Sequence, residues 1–148
     1  HKKAAAFAQV SKLPTLADDS GLEVEVLGGA PGVHSHRYLA DPSATDEQRC
    51  QALLNQLSAY PRPWKAAFQC EIVLCNANEI VLRSHGSCPG EIISEFRGKN
   101  GFGFDPIFLV EGTHRTMAEL TDEQKNRISH RAKALQAAWD DLLRFAAS

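Results

Sequence analysis

The sequence predicts an α/β domain with a β-sheet at its centre and helices toward both ends of the chain. Residues 64–75 alternate apolar and polar side chains, the period of two that indicates a half-buried strand. Residues 45–57 and 121–142 place apolar side chains at helical spacing instead. With 148 residues and 16.2 kDa, we expect one domain over residues 1–148, with helices packed on an antiparallel or mixed sheet.

The first two helices are predicted from composition and capping. Residues 1–12 are rich in alanine, and Pro14 ends the helix. The second helix begins after Thr45, because Thr45 and Gln48 have the spacing of a capping box. Its predicted apolar face consists of Leu53, Leu54 and Leu57.

The last helix is predicted to begin after Thr121, which has Gln124 three positions later. Its apolar stripe would be Ile128, Ala132, Leu135, Trp139 and Leu142. In a continuous helix Lys125 and His130 would lie about 140° apart. A ligand that contacts both therefore has to wrap around the helix, or the helix has to break between them.

The predicted strands are residues 15–17, 22–26, 64–75, 79–84 and 91–96. The first two flank an acidic turn at residues 18–21, and the third and fourth form a β-hairpin. We expect a break at Cys88-Pro89-Gly90, because proline cannot donate to a ladder.

Composition excludes several classes of protein. A formal net charge of -2 and a pI near 6.3 give no general reason to bind nucleic acid or an anionic membrane. The four cysteines form no C-x-x-C pair, and no apolar run approaches the roughly 20 residues that span a bilayer. The sequence also shows no signal-peptide pattern at its start, so we expect a reduced, cytoplasmic protein.

The segment Asp18-Asp19-Ser20-Gly21 is the first candidate site. Two neighbouring carboxylates suit a general base, a ligand of a hard cation such as Mg²⁺, or both. The alternative is an Asx-type turn, in which Gly21 supplies a positive φ angle.

The second candidate site is the segment Gly101-Phe102-Gly103-Phe104-Asp105-Pro106. Glycines on both sides of Phe102 allow a close approach to a ligand, and an aromatic ring stacked on a base contributes roughly 1–3 kcal/mol. Asp105 can accept hydrogen bonds from ribose hydroxyls or base N–H groups. The alternative is a glycine-rich hairpin with a core-anchoring Phe.

The third candidate is cationic. Arg131 offers a planar fork of donors, His130 can donate or accept, and Lys125 supplies a point charge for a phosphate. The alternative is a solvated helix face.

The order of these motifs, from about Lys3 to Leu135, closely resembles the inosine triphosphate pyrophosphatase family. The shared segments also include Gly29-Ala30-Pro31-Gly32-Val33, Arg37-Tyr38 and Met117-Ala118-Glu119-Leu120. The resemblance implies an ITPase-like α/β fold with a long twisted mixed sheet, flanking helices, and two lobes around a central cleft. It also implies Mg²⁺ as the cofactor and a homodimer.

The resemblance assigns a role to each candidate residue. Asp19 matches the general base and metal-side carboxylate, with Asp18 beside it as a second metal ligand. The residues matching substrate contacts are Ser20, Phe102, Gly103, Phe104, Asp105, Lys125, His130 and Arg131. His130 and Arg131 would read the 6-keto oxygen of the base, because their donors would stay unpaired against the 6-amino group of adenine.

The implied activity is hydrolysis of deaminated purine nucleoside triphosphates (XTP, ITP and dITP) to the monophosphate and pyrophosphate, which prevents their incorporation into nucleic acids. An activated water would attack the α-phosphorus, with Asp19 and the cationic pair at opposite ends of one bound nucleotide. A metal-free hydrolase with His130 as the base is another interpretation, and it predicts activity that survives chelation.

Some features depart from the family pattern. Phe104 replaces a common tyrosine, and His34 and His36 replace a more usual Tyr and Ala. The family's first strand, its phosphate loop and an acidic metal ligand would precede the position that matches His1, so we expect an N-terminally truncated domain. The alternative function is then a catalytically inactive nucleotide-binding or dimerisation module.

Overall fold

A computed structural model of the protein describes residues 1–77 and 79–147. Its sheet has five strands in the order β2-β1-β3-β4-β5, and every neighbouring pair is antiparallel. The strands are β1 (Thr15–Val24), β2 (Pro31–Gly32), β3 (Trp64–Cys75), β4 (Ile80–Ile92) and β5 (Phe108–Val110). The helices are α1 (Lys2–Ser11), α2 (Asp46–Leu57), α3 (Asp122–Ile128) and α4 (His130–Ala146). The predicted α/β class is confirmed, whereas the mixed sheet that the resemblance implies is antiparallel throughout its described part.

The acidic segment is part of a strand, so the predicted turn at residues 18–21 is wrong. β1 pairs with β3 along its whole length, from Thr15 to Val24. Gly21 is needed for close approach and not for a positive φ angle, because a Cβ atom there would lie 2.2 Å from the carbonyl oxygen of Gly32. The pairing with β3 outweighs the turn composition of this segment.

The predicted break at Cys88-Pro89-Gly90 is also wrong, because β4 continues through it to Ile92. The Pro89 carbonyl accepts a hydrogen bond from the Glu111 N–H, so the Pro89 nitrogen faces the side of β5. Because the nitrogen points away from β3, the pairing of β3 with β4 continues through Pro89 without losing a hydrogen bond.

The helix starts follow the capping signals. Thr45 caps α2 and Thr121 caps α3, each in a complete capping box, and α1 ends at Ser11 before Pro14. The predicted apolar face of α2 is buried in the main core with Phe68 and Phe108. The four cysteines are free and buried, as expected of small apolar side chains.

The predicted apolar stripe of the last helix is wrong at its centre, because Leu135 is 41% and Trp139 54% exposed, whereas Ile128 and Leu142 pack against the core. Ala134 and Ala138 are buried in their place. A Cβ atom at Gly86 of β4 would lie 2.2 Å from the carbonyl oxygen of His130, so α4 packs almost backbone to backbone on the strand. Only small side chains fit that contact, so Leu135 and Trp139 are left on the exposed side of the helix.

None of the helices in the described part of the chain has the length and apolar character that crossing a membrane requires.

Candidate active site

A cavity of about 960 Å³ lies between one face of β1 and β3, the loop at residues 101–105, and the helices α3 and α4. It brings together all eight predicted substrate residues, which lie up to 111 positions apart in sequence. They are Ser20, Phe102, Gly103, Phe104, Asp105, Lys125, His130 and Arg131.

The loop at residues 101–105 is closed by the Asp105 carboxylate. This carboxylate accepts hydrogen bonds from the Phe102 N–H at 3.0 Å and from Lys125 Nζ at 2.7 Å. Phe104 is buried in the core, whereas Phe102 is 60% exposed. The predicted stacking ring is therefore Phe102, and Phe104 anchors the loop.

Two cations lie over the exposed ring of Phe102. Lys125 Nζ is 5.3 Å and the Arg131 guanidinium carbon 5.5 Å from the ring centroid. Such distances favour cation–π attraction. The cavity mouth thus presents an aromatic face between two positive charges, a combination suited to a base that carries phosphates.

Asp105 and Lys125 form a buried ion pair beside this ring, with side chains 6% and 16% exposed. Burial raises the pKa of Asp105, while the bonds from Lys125 and from the Phe102 N–H oppose that rise. The carboxylate consequently depends on Lys125 to remain charged in a poorly solvated position.

The break between α3 and α4 sets the direction of His130. Ser129 has extended backbone angles (φ -66°, ψ 157°) and caps α4 through a bond from the Ala132 N–H. The two helices thus meet at an angle, which explains how Lys125 and His130 line one cavity. Of the two alternatives that the sequence left open, the structure has the break between Lys125 and His130.

His130 is held as a neutral imidazole. Its ring stacks on Phe68 with centroids 5.0 Å apart, and burial, helped by Arg131 and Lys125, lowers its pKa to about 4. A neutral ring carries one donor and one acceptor nitrogen. This environment favours recognition of a base edge over proton abstraction near pH 7.

The two aspartates of β1 face opposite sides of the sheet, as adjacent strand residues must. The Asp18 carboxylate faces α4 and accepts from Arg131 Nε at 2.8 Å. Asp19 faces the other side, 2.9 Å from Lys3 Nζ, in a second cavity of about 630 Å³, which Asp18 also borders. Asp19 is therefore not in the cavity that contains Phe102 and Arg131.

The two cavities adjoin at β1, because Ser20 and Gly21 line both of them. On the side away from β3, the described ladder of β1 covers only Leu22 and Glu23, which pair with β2. The segment around Asp19 thus lies at an edge of the described sheet. Ser20 and Gly21 therefore connect the two cavities at this edge.

Three buried side-chain polar atoms have no hydrogen-bond partner among the described residues, and all three belong to residues that line the large cavity. They are Ser20 Oγ, Arg49 Nε and His130 Nδ1. The Cys70 thiol lies opposite Ser20 in the ladder, and the Ser20 side chain partly offsets the rise that burial causes in the pKa of this thiol. Unpaired buried polar groups are costly, so their concentration here indicates a site shaped for a polar ligand.

The acidic residues offer limited support for a metal ion. Within residues 1–77 and 79–147, no group of three or more His, Cys, Asp or Glu side chains could hold one. Asp19 is exposed and has Glu71 opposite it in the β1–β3 register, which suits a cation that takes its other ligands from a phosphate chain. Asp18 is turned away and paired with Arg131.

Several side chains of these cavities were not singled out as site residues from the sequence, among them four that are charged or aromatic. Lys3 lies in the second cavity, and Asp46, Arg49 and Phe68 line the first. Lys3 lies in an alanine-rich helix and Phe68 in a strand pattern, so neither carried a functional signal. Asp46 and Arg49 follow a capping residue, where acids and helix formers are ordinary.

These features define a cleft of nucleotide size on an α/β scaffold. Comparison of the chain with known protein families and solved structures agrees with this description. The Ham1 family matches residues 1–141, and the chain belongs to this family. It is similar to the dITP/XTP pyrophosphatase of Escherichia coli (strain K12), with 47% identity over 95% of this chain and 72% of that protein. It is similar as well to the dITP/XTP pyrophosphatase of Desulfotalea psychrophila, with 46% identity over 91% of this chain and 60% of that protein.

Two solved structures share the fold. A HAM1 protein from Coxiella burnetii superposes with a TM-score of 0.91 at 47% identity, over 97% of this chain and 74% of that one. The Ham1 protein of Staphylococcus aureus superposes with a TM-score of 0.86 at 37% identity, over 99% of this chain and 74% of that one. The 148 residues thus correspond to between three fifths and three quarters of these four relatives.

Proposed function

We propose that this protein hydrolyses deaminated purine nucleoside triphosphates, such as ITP, dITP and XTP, to the monophosphate and pyrophosphate. The main observation in support of this proposal is that four side chains line one cavity: Phe102, Lys125, His130 and Arg131. The names of the relatives, which are dITP/XTP pyrophosphatases, agree with that chemistry.

In this proposal the base stacks on Phe102, and its 6-keto oxygen accepts hydrogen bonds from the His130–Arg131 pair. Asp18 orients Arg131 through their 2.8 Å contact. Adenine presents a 6-amino donor at this position and would leave the protein donors unpaired, which opposes its binding. Ser20, Gly103 and Asp105 border the same cavity and contact the nucleoside.

The phosphates extend across Ser20 and Gly21 toward Asp19 and Lys3 at the edge of β1. Asp19 accepts a proton from the attacking water, an oxygen–phosphorus bond forms at the α-phosphorus, and the α–β phosphoanhydride breaks to release pyrophosphate. Lys3 faces Asp19 and neutralises negative charge there.

We further propose that a divalent cation, Mg²⁺, binds on the Asp19 side and takes its remaining ligands from the substrate phosphates. When bound, such an ion supplies a Lewis acid and compensates charge on the phosphoryl oxygens. Asp18, which the sequence suggested as a second ligand, points to the opposite face and instead serves Arg131.

The test is pyrophosphate release from ITP, dITP, XTP, GTP and ATP by the gene product that contains residues 1–148, with Mg²⁺ and with a chelator. We expect release from the first three nucleotides and none from ATP, with loss of release on chelation. GTP also carries a 6-keto oxygen, so its rate measures discrimination at the 2-position of the base. Activity that survives chelation would favour a metal-free reaction. Nucleotide binding without turnover would favour an inactive binding module.

The Asp19→Asn variant tests the catalytic assignment. We expect it to bind ITP but to lose at least about 100-fold in kcat, the lower range for removing a general base. Glu95→Gln is the matched control, because Glu95 is also an exposed acid in a 2.9 Å ion pair, with Arg97, and it lies outside both cavities. Normal turnover by Asp19→Asn would refute the assignment.

A homodimer is proposed as well, supported by the resemblance to a family whose members are usually dimeric. Sedimentation equilibrium of the gene product measures this directly, and a monomer mass at micromolar concentration would contradict it.

A further inference from the structure

Helix α2 binds the centre of the loop at residues 101–105 through both peptide groups of Gly103. The Gly103 N–H donates to Asp46 Oδ2 at 2.7 Å, and the Cys50 thiol donates to the Gly103 carbonyl at 3.3 Å. Gly103 has a positive φ angle of 60° and stands directly after Phe102. The residue after Phe102 is therefore held by a helix 53 to 57 positions earlier in the chain, in addition to the bonds between Phe102 and Asp105.

The two contacts on α2 are themselves fixed. Asp46 Oδ1 accepts from Arg49 NH1 at 2.8 Å, and the Arg49 side chain is only 6% exposed. Burial raises the pKa of Cys50 to about 12, with smaller contributions from Asp46 and Asp105, so the thiol keeps the proton that it donates. Asp46 thus presents one carboxylate oxygen to the loop and the other to a buried guanidinium.

Phe102 needs such support because its own ring does not anchor it. The ring is 60% exposed, whereas the next aromatic, Phe104, is 3% exposed and lies against Tyr38 with ring centroids 6.1 Å apart. The loop end is held separately by Asp105 and Lys125. Without the Asp46 contact, Gly103 would keep only the weak thiol bond, while Phe102 would remain bonded to Asp105 through its N–H and its carbonyl.

We propose that Asp46 is a positioning residue for nucleotide binding, which holds Phe102 in its stacking position through the Gly103 N–H, with Cys50 assisting at the Gly103 carbonyl. This inference rests on the proposed function, because it assigns the stacking of the base to Phe102. Asp46 does not touch the reacting phosphates in this arrangement.

The test compares Asp46→Asn with the wild-type protein in steady-state hydrolysis of ITP. Loss of a charge-assisted hydrogen bond corresponds to roughly a tenfold change, and we expect KM to rise by this factor with kcat little changed. The control is Glu47→Gln, which removes the same charge from the same helical turn at an exposed position. It should leave KM unchanged.

A second readout reports the contact itself. In protein labelled with ¹⁵N-glycine, the Gly103 amide should resonate downfield in the wild type, shift upfield in Asp46→Asn, and exchange its hydrogen faster. If Asp46→Asn fails to fold, the pair Cys50→Ala and Cys50→Ser replaces it. The alanine variant should raise KM, and the serine variant, which retains a donor, should restore it.

An unchanged KM together with an unchanged Gly103 resonance in folded Asp46→Asn would overturn the positioning role. A wild-type protein that hydrolyses none of the nucleotides would instead refute the proposed function. The positioning role is then judged from the dissociation constant of ITP, for which a tenfold rise in Asp46→Asn supports it and no change overturns it.

Discussion

The buried pair of Asp105 and Lys125 allows a stability prediction that can be worked out from the structure. The change is Lys125→Met, which keeps much of the side-chain volume and removes the charge. Asp105 would remain, with a side chain only 6% exposed, beside the single N–H of Phe102. Breaking a buried ion pair from one side costs about 3–5 kcal/mol. Because Lys125 borders an open cavity, we expect a loss at the lower end of this range: the free energy of unfolding should fall by about 3 kcal/mol.

The pH dependence of this loss has a definite sign. Burial raises the pKa of Asp105 above its ordinary value of 3.8, and Lys125 opposes the rise, so the variant raises it further. The folded protein then holds the proton more tightly than the unfolded chain, and lowering the pH stabilises the fold through this group. The deficit of Lys125→Met relative to wild type should therefore shrink as the pH falls from 7 toward 4.

The assay is urea denaturation at pH 7 and pH 5 for the wild type, Lys125→Met, Asp105→Asn and the double variant. If the charge left unpaired causes the loss, Asp105→Asn should relieve it, giving a coupling energy of at least about 1 kcal/mol in the cycle. A loss that is equally large in the Asp105→Asn background, or that does not change with pH, would refute the reasoning.

Two further predictions concern His130 and Gly21. The pKa of His130 is lowered from 6.5 to about 4, so the folded state resists protonation and stability falls as the pH drops from 6.5 to 4. At about 1.4 kcal/mol per pH unit this amounts to about 3 kcal/mol, which should be absent in denaturation curves of His130→Phe and retained in the exposed-site control His85→Gln. Gly21→Ala should lose about 2 kcal/mol or more in thermal or urea unfolding, because its Cβ atom would lie 2.2 Å from the Gly32 carbonyl oxygen. A Gly21→Ala protein as stable as wild type, or a His130→Phe protein with an unchanged acid transition, would contradict these predictions.

Local signals in the sequence predicted the helix starts because capping is a contact between near neighbours. Thr45 with Gln48, and Thr121 with Gln124, form capping boxes in the structure at the predicted positions. The long alternation of apolar and polar side chains at residues 64–75 was likewise sufficient to predict β3, which occupies the same residues. These features need only the few residues around them.

The errors arose where a distant segment decides the local conformation. The residues at 18–21 resemble a turn, but pairing with β3 keeps them extended. Leu135 and Trp139 follow a helical stripe, yet the backbone contact of α4 with Gly86 selects the alanines for burial. Neither β3 nor Gly86 is visible in the local pattern of the segment that it constrains.

The candidate site shows the same division. The sequence by itself determined the chemical types and their order: an acidic pair, a glycine-bracketed aromatic, and a cluster of Lys, His and Arg. Only the tertiary structure decided that Asp18 serves Arg131 while Asp19 faces Lys3, and that the break at Ser129 turns Lys125 and His130 toward one cavity. The reason is physical: a residue's chemistry is local, but the direction of its side chain depends on strand register and helix packing set by segments far away in the chain.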